Sequence, residues 1–256
     1  MKIKQLTFLL FFFICNTVLF ALEPIIILVG PPGAGKGSCA QYLKQYYGYN
    51  HVSIGDLIRM EIENKTELGL SIEDIVKNGG SVDQQIVREL VRTKVEKFVI
   101  DKKPFIIDGF CRNDGDGEFL KEIFHELDML PRTMVLYLEC EDEVCIKRIE
   151  HRIVCSCCGN VYNTFTAKPL NQDYCDVCGS QLKIRLNDSL EKIRKRFEKY
   201  HKEVKCYYKL NAKLFPTILY NTNKPYEECC LFYDQIAKDI KAWEHDASSF
   251  VKDKHP

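Results

Sequence analysis

Nine residues, Gly30-Pro31-Pro32-Gly33-Ala34-Gly35-Lys36-Gly37-Ser38, have the types and spacing that hold phosphate. Glycine tolerates the backbone turns that aim several N–H groups at one anion. Lys36 adds a full positive charge, and a helix beginning there adds roughly half of one. Gly37 stands where such loops usually carry Ser or Thr, so the hydroxyl moves on to Ser38. Before the loop lies Ile25-Ile26-Ile27-Leu28-Val29, an unbroken apolar run suited to a strand buried on both faces. After it, Cys39 to Lys44 continues as a helix. Strand, glycine-rich turn, lysine and helix together imply a bound nucleotide.

The second set is cationic. Arg59, Arg112, Arg148, Arg152, Arg185 and Arg196 are spread along the chain, each near a glycine, an acid or another arginine. The spacing of Arg148 and Arg152 predicts one face of one helix, where a like-charge pair costs a few tenths of a kcal/mol unless an anion lies between. Planar arginine suits two-pronged contact with phosphate. The third set is Cys155-Ser156-Cys157-Cys158 and Cys175-Asp176-Val177-Cys178. Cys155, Cys158, Cys175 and Cys178 form two C-x-x-C knuckles suited to a closed, structural zinc site, with a disulfide pair as the alternative and Cys157 as a spare.

These groups need elements to position them, and the chain alternates strand with helix. His51 to Ile54 leads into Gly55-Asp56-Leu57-Ile58-Arg59 and one polar helical segment, which stops at Asn78-Gly79-Gly80. Asp83 opens a helix; Phe105-Ile106-Ile107 is a strand ending in Asp108, where a phosphate-loop fold keeps its magnesium-organising carboxylate. Phe119 to Leu127 predicts a helix, and Met134 to Leu138 a strand. Leu190, Ile193, Phe197, Tyr200 and Val204 form a helical core stripe. Thr217 to Tyr220 is the last strand, and Pro225 opens the last helix. The fold class is α/β, a mostly parallel P-loop NTPase-type sheet with helices on both faces.

Composition excludes some classes. The 256 residues carry 36 basic and 36 acidic side chains, a net charge of zero, so no broad nucleic-acid surface is expected. The knuckle segment also lacks the basic and aromatic interleaving of a strand-binding ribbon. Residues 1–22 read as a leader: Lys2 and Lys4 precede the apolar stretch Leu6 to Leu22. Cleavage after Ala21 makes it a secretory signal; left uncleaved it is a membrane anchor; a misassigned start is the third reading. Export or anchoring is expected, and contact with a membrane only through that leader. The thirteen cysteines pull toward a reducing, cytoplasmic compartment instead.

Taken together, Gly30 to Ser38, Asp56 to Arg59, Asp108 to Arg112, Arg148, Arg152, Arg185-Leu186-Asn187-Asp188 and Arg196 resemble the adenylate kinase family in order and spacing, from about Ile25 to Trp243. The resemblance implies a monomeric enzyme moving phosphate from ATP, with Mg2+, to AMP. It implies a core of residues 23–52, 83–150 and 188–245, a monophosphate-binding insertion at 53–82, a zinc-knuckle lid at 151–187 and a tail at 246–256. Lys36, Asp108, Arg112, Arg148, Arg152, Arg185 and Arg196 are then the catalytic set. Gly33, Ala34, Gly35, Lys36, Gly37, Ser38, Arg152, Val161, Tyr162 and Lys224 would contact the donor. Ile54, Arg59, Gly80, Ser81, Val82, Gly109, Phe110, Arg112, Asp116, Arg185 and Arg196 would contact the acceptor.

Some positions depart from the family pattern. Ile54 stands for Thr or Ser, Cys111 for a proline, Asn187 for an acid, and Asp116 for the glutamine that reads adenine. An ionised Asp only accepts hydrogen bonds, so a CMP, UMP or GMP kinase is the alternative to AMP. Asp188 is open between a helix cap, in Asp188-Ser189-Leu190-Glu191, and a site role. A non-catalytic nucleotide-binding protein that kept the fold is the second alternative.

Overall fold

The computed structural model describes residues 24–78, 80–185, 188–223 and 228–252. The expected leader at 1–22, and Gly79, Asn187, Lys224 and Pro225, lie outside the described residues. Among the described residues, no helix is long and apolar enough to cross a membrane.

Five parallel strands make the central sheet: β1 (Ile25–Val29), β2 (Asn50–Ser53), β3 (Phe105–Asp108), β4 (Thr133–Glu139) and β8 (Thr217–Asn221), in the order β2-β3-β1-β4-β8. β1 is central and wholly buried, as its unbroken apolar run requires. Its residues alternate between two cores. Ile25, Ile27 and Val29 pack with Val91, Val95, Leu120, Phe124 and Tyr208 on one face. Ile26 and Leu28 pack with Leu43, Met134, Ile193, Phe197, Ile236 and Ile240 on the other.

Helices α1 (Lys36–Tyr47), α4 (Gln84–Ile100), α5 (Asp116–Glu126), α6 (Asp142–Glu150) and α9 (Cys229–Lys252) connect or flank these strands. Asp83 caps α4 by accepting from the N–H groups of Gln85 and Ile86. α9 runs on to Lys252, past residue 245, the expected end of the core. Between β2 and α4 the single expected polar helix is two, α2 (Ile54–Glu63) and α3 (Glu67–Lys77). Lys65 turns left-handed at the break, and the Thr66 hydroxyl accepts from Gly69 N–H to start the second helix.

Between α6 and α7 (Leu190–Lys199), three short antiparallel strands form a separate sheet in the order β6-β5-β7: β5 (Arg152–Cys155), β6 (Val161–Asn163) and β7 (Leu182–Lys183). α7 then passes through a π turn at Tyr200–Val204 into α8 (Lys205–Leu214). The expected stripe is thereby divided. Ile193 and Phe197 belong to one core, Tyr200 and Val204 to the other, and Leu190 is exposed rather than packed.

Candidate active site

All five parallel strands end on one edge, and the chain connections reverse direction about β1, the place where open α/β sheets bind ligands. The phosphate loop leaves β1 there. Two of its glycines admit no side chain: a Cβ on Gly30 would lie 2.3 Å from the Leu138 carbonyl oxygen, and one on Gly33 2.5 Å from that of Cys145. Both have positive φ. Gly35 caps α1 in the left-handed conformation without a side-chain bond, so the N–H groups of that first turn face the loop's concavity. Lys36 Nζ donates to the carbonyls of Gly30 and Pro31, each at 2.8 Å. Burial pulls its pKa from 10.5 to about 8; Asp108 resists, while Arg112 and Arg196 push the same way as burial. Below it, Asp108 is held under the ordinary carboxylate range: burial opposes its charge, but His51 and Lys36 outweigh that. His51 Nε2 stands 3.6 Å from Asp108 Oδ2, an ion-pair distance rather than a hydrogen bond.

A cleft of about 1760 Å³ opens over the loop, well above the 300–1,000 Å³ of a typical single-ligand pocket. Lys36, Arg59, Arg112, Arg148, Arg152, Arg185 and Arg196 all line it. Arg185 and Arg196 are each drawn down to about 10, first by burial and then by other cations: Arg152 and Arg59 around Arg185, Arg152 and Arg112 around Arg196. Such crowding is costly until an anion enters. Arg59 folds onto its own helix and pairs with Asp56. Burial opposes the Asp56 charge, yet Arg59 first, then Ser53 and Arg185, hold its carboxyl low.

Several expectations are corrected by this geometry. Arg148 and Arg152 do not share a helix face, because α6 ends at Glu150 and Arg152 opens β5, paired with Asn163. Arg148 stays at the cleft and donates to the Thr222 carbonyl at 2.7 Å and to Cys140 Sγ at 3.5 Å. Asp188 caps nothing. Ser189 is the cap residue of α7, and Asp188 makes a two-pronged pair with Arg152, at 2.8 Å to Nε and 2.6 Å to Nη2, with Arg196 Nη1 at 3.4 Å. Its side chain is 1 % exposed. Asp188→Asn leaves two guanidinium groups without their countercharge and is expected to cost about 3 kcal/mol of folding stability. An unchanged urea midpoint in that variant would show that the pair contributes nothing net.

Tyr162, expected against the donor, lines the cleft, but most of its side chain is buried in the small sheet and its hydroxyl is engaged by Asn160 Nδ2, Asp176 N–H and Cys175 Sγ. Ile54 lines the cleft but packs into the core with Phe110 and is 5 % exposed. Asp116 is spent as well: its two carboxylate oxygens take hydrogen bonds from the backbone and side chains around it. Cys111 has φ 59°, a conformation the expected proline cannot adopt, so the chain here takes a different route and does not merely gain freedom. Gly80 donates to the Ile75 carbonyl and Ser81 accepts from Lys199 Nζ at 2.8 Å; Val82, Val161, Gly109 and Phe110 line the cleft.

The four knuckle thiols meet. Cys155, Cys158, Cys175 and Cys178 bring their sulfurs within 4.8 Å of one another. The 3.4 Å Cys155–Cys178 and 3.5 Å Cys158–Cys175 separations are too long for disulfides. A tetrahedral ion with metal–sulfur bonds of about 2.3 Å fits among them.

The model of the family described as adenylate kinase matches residues 28–212. An adenylate kinase of Thermosipho melanesiensis is 39% identical over 193 residues, covering 74% of this chain and 89% of that one. One of Caldicellulosiruptor saccharolyticus is 33% identical over 216 residues, covering 84% and 95%. The chain belongs to the adenylate kinase family. For an adenylate kinase, the match takes in the phosphate loop from Leu28, Arg59, Asp108, Arg112, Arg152, Arg185, Arg196 and both knuckles.

Sequence reasoning missed three contributors to this adenylate kinase site. They are His51 beside Asp108, and Gln84 and Arg88 on Asp116. Each acts across a gap of 28 to 57 positions in the chain, and no local pattern marks it.

Proposed function

We infer that the chain is a nucleoside monophosphate kinase: it moves the terminal phosphoryl group of ATP to a monophosphate, AMP first, giving two ADP. The observation that carries this is the convergence of Lys36, Arg112, Arg152, Arg185 and Arg196 on one cleft large enough for two nucleotides. Phosphoryl transfer asks little covalent work of a protein; it needs two substrates placed in line and spreading charge neutralised.

In this reading the loop N–H groups, Lys36 and Arg152 hold the donor's phosphates. Arg59 and Arg112 hold the acceptor's phosphate, and Arg185 and Arg196 lie over the group in transit. Arg148, which lines the same cleft beside Thr222, would close over that group with them. Magnesium bound with ATP would neutralise charge on the donor's phosphates; Asp108 and Ser38 are the residues that would orient its waters. Zinc would be held by Cys155, Cys158, Cys175 and Cys178 and would stiffen the segment between Arg152 and Arg185, with Tyr162 as part of its packing. That segment would exclude water, so that phosphate goes to the acceptor rather than to hydrolysis.

The case for CMP, UMP or GMP rests on Asp116 and Ile54, and both are engaged inside the protein. The test is transfer from ATP and magnesium to AMP, CMP, UMP and GMP supplied separately. Preference for AMP is the expected result. Transfer to none, with ATP still bound, would leave the fold serving something other than catalysis. Export or anchoring through residues 1–22 stands as a proposal from composition alone, which an intact Met1 on a protein recovered from the soluble cytoplasm would overturn.

A further inference from the structure

Asp116 opens α5 with 1 % of its surface exposed, and the hydrogen bonds it accepts are internal. Oδ2 accepts from the backbone N–H of Arg112 at 3.0 Å, that of Asn113 at 2.9 Å, and Asn113 Nδ2 at 3.2 Å. Oδ1 accepts from Gln84 Nε2 at 2.9 Å and Arg88 Nε at 3.2 Å. The same two side chains also donate to the Asp114 carbonyl, at 2.7 and 3.0 Å. One carboxylate therefore joins the loop after β3 to the first turns of α4, the helix that follows the α2–α3 pair.

That loop needs holding. Gly109, Cys111 and Gly115 all have positive φ, and for the buried Cys111 this is a strained conformation. The two N–H groups that Asp116 captures directly follow Cys111. They also belong to the stretch that aims Arg112, whose guanidinium lies over Gly109: a Cβ there would be 2.9 Å from Nη2.

We propose that Asp116 is a positioning residue, which fixes Arg112 through its backbone and ties it to α4, and takes no part in reading the acceptor's base. The proposal rests on the kinase reading, with Arg112 on the acceptor's phosphate, and deepens it. Phosphate is common to every nucleoside monophosphate, so loosening the clamp weakens all of them by one factor. The base edge is then met by something other than residue 116.

The test is Asp116→Asn in the full chain, with Kd for AMP, CMP, UMP and GMP by calorimetry and steady-state KM for ATP. An amide keeps one acceptor but turns N–H donors toward other donors. The expected result is a loss of about tenfold in affinity for each monophosphate, ratios preserved within about twofold, and an unchanged KM for ATP. Altered ratios would mean that residue 116 reads the base. Unchanged affinities would mean that it positions nothing. Where Asp116→Asn does not fold, Gln84→Ala and Arg88→Ala decide the same question: a uniform loss of about threefold supports the clamp, and a base-selective loss or none overturns it. A wild type inactive toward all four acceptors removes the kinase reading itself, and the proposal with it. An active wild type whose variants change selectivity removes the clamp alone.

Discussion

Lys36→Met is expected to lower kcat for transfer from ATP to AMP by about 10³-fold, the scale of losing one charge aligned with the transition state. It is expected to do so without lowering the melting temperature. The two halves have one cause. Burial holds Lys36 at about 8 in the folded protein against 10.5 when exposed. A group whose folded pKa is depressed binds its proton less well in the native state, so its charge opposes folding fully below pH 8 and ceases to do so as pH rises toward 10.5. Methionine keeps the stem, lacks the charge and relieves that opposition at neutral pH, at the loss of two hydrogen bonds to Gly30 and Pro31. Calorimetry at about pH 7 beside a single-turnover assay checks both parts. Normal turnover would remove Lys36 from the reaction, and a large drop in melting temperature would mean that activity was lost through the fold.

Removing the zinc proposed for the four knuckle thiols is expected to have the larger effect on stability. The small sheet has strands of four, three and two residues, and its buried core is Cys155, Tyr162 and Cys175 with Ile153, Cys158 and Leu182 packed against it. That is far too little apolar surface to order residues 152–183 unaided. Structural zinc contributes on the order of 10 kcal/mol to such a segment. Chelation, or Cys158→Ser, is therefore expected to lower the first melting transition by about 10 °C or more. It is also expected to raise hydrolysis of ATP relative to transfer, because Arg152 and Arg185 bracket the segment proposed to shut out water. Cys157→Ser, at an exposed thiol beside the knuckle, is the matched control and should change neither. Absence of zinc by metal analysis together with an unchanged melt would show that the four thiols are held by packing alone.

These sites differ in how far the sequence discloses them. The phosphate loop and knuckles are legible because their chemistry is local: the glycines, the lysine and each cysteine pair lie within a few residues, and covalent spacing nearly determines their geometry. The central sheet is legible from β1, β3 and β4, whose apolar runs have no other stable place. Arg152 is misplaced on a helix because a spacing of four says nothing about where the helix stops. It stops at Glu150 since Arg152, Ile153 and Val154 find strand partners across a hairpin in β6, and Val154 a further one in β7, remote in sequence. Asp116 and Tyr162 draw ligand roles from their likeness to a family pattern, yet their polar atoms are consumed by Arg112, Gln84, Arg88 and Asp176. A polar side chain at a cleft is open to a ligand only if its neighbours leave it so, and that is decided in three dimensions.

The π turn between α7 and α8 gives Arg196 a fixed bearing. Upstream, Ile193 and Phe197 are keyed into one core; downstream, Tyr200, Val204 and Tyr208 are keyed into the other, with the Tyr200 hydroxyl 3.0 Å from that of Tyr137 on β4. A rod wedged on opposite faces of a plate cannot spin about its own axis. The azimuth of Arg196 is thus indexed to the sheet itself, and its guanidinium points into the cleft before any nucleotide arrives, so little orientational freedom remains to be lost when phosphate binds.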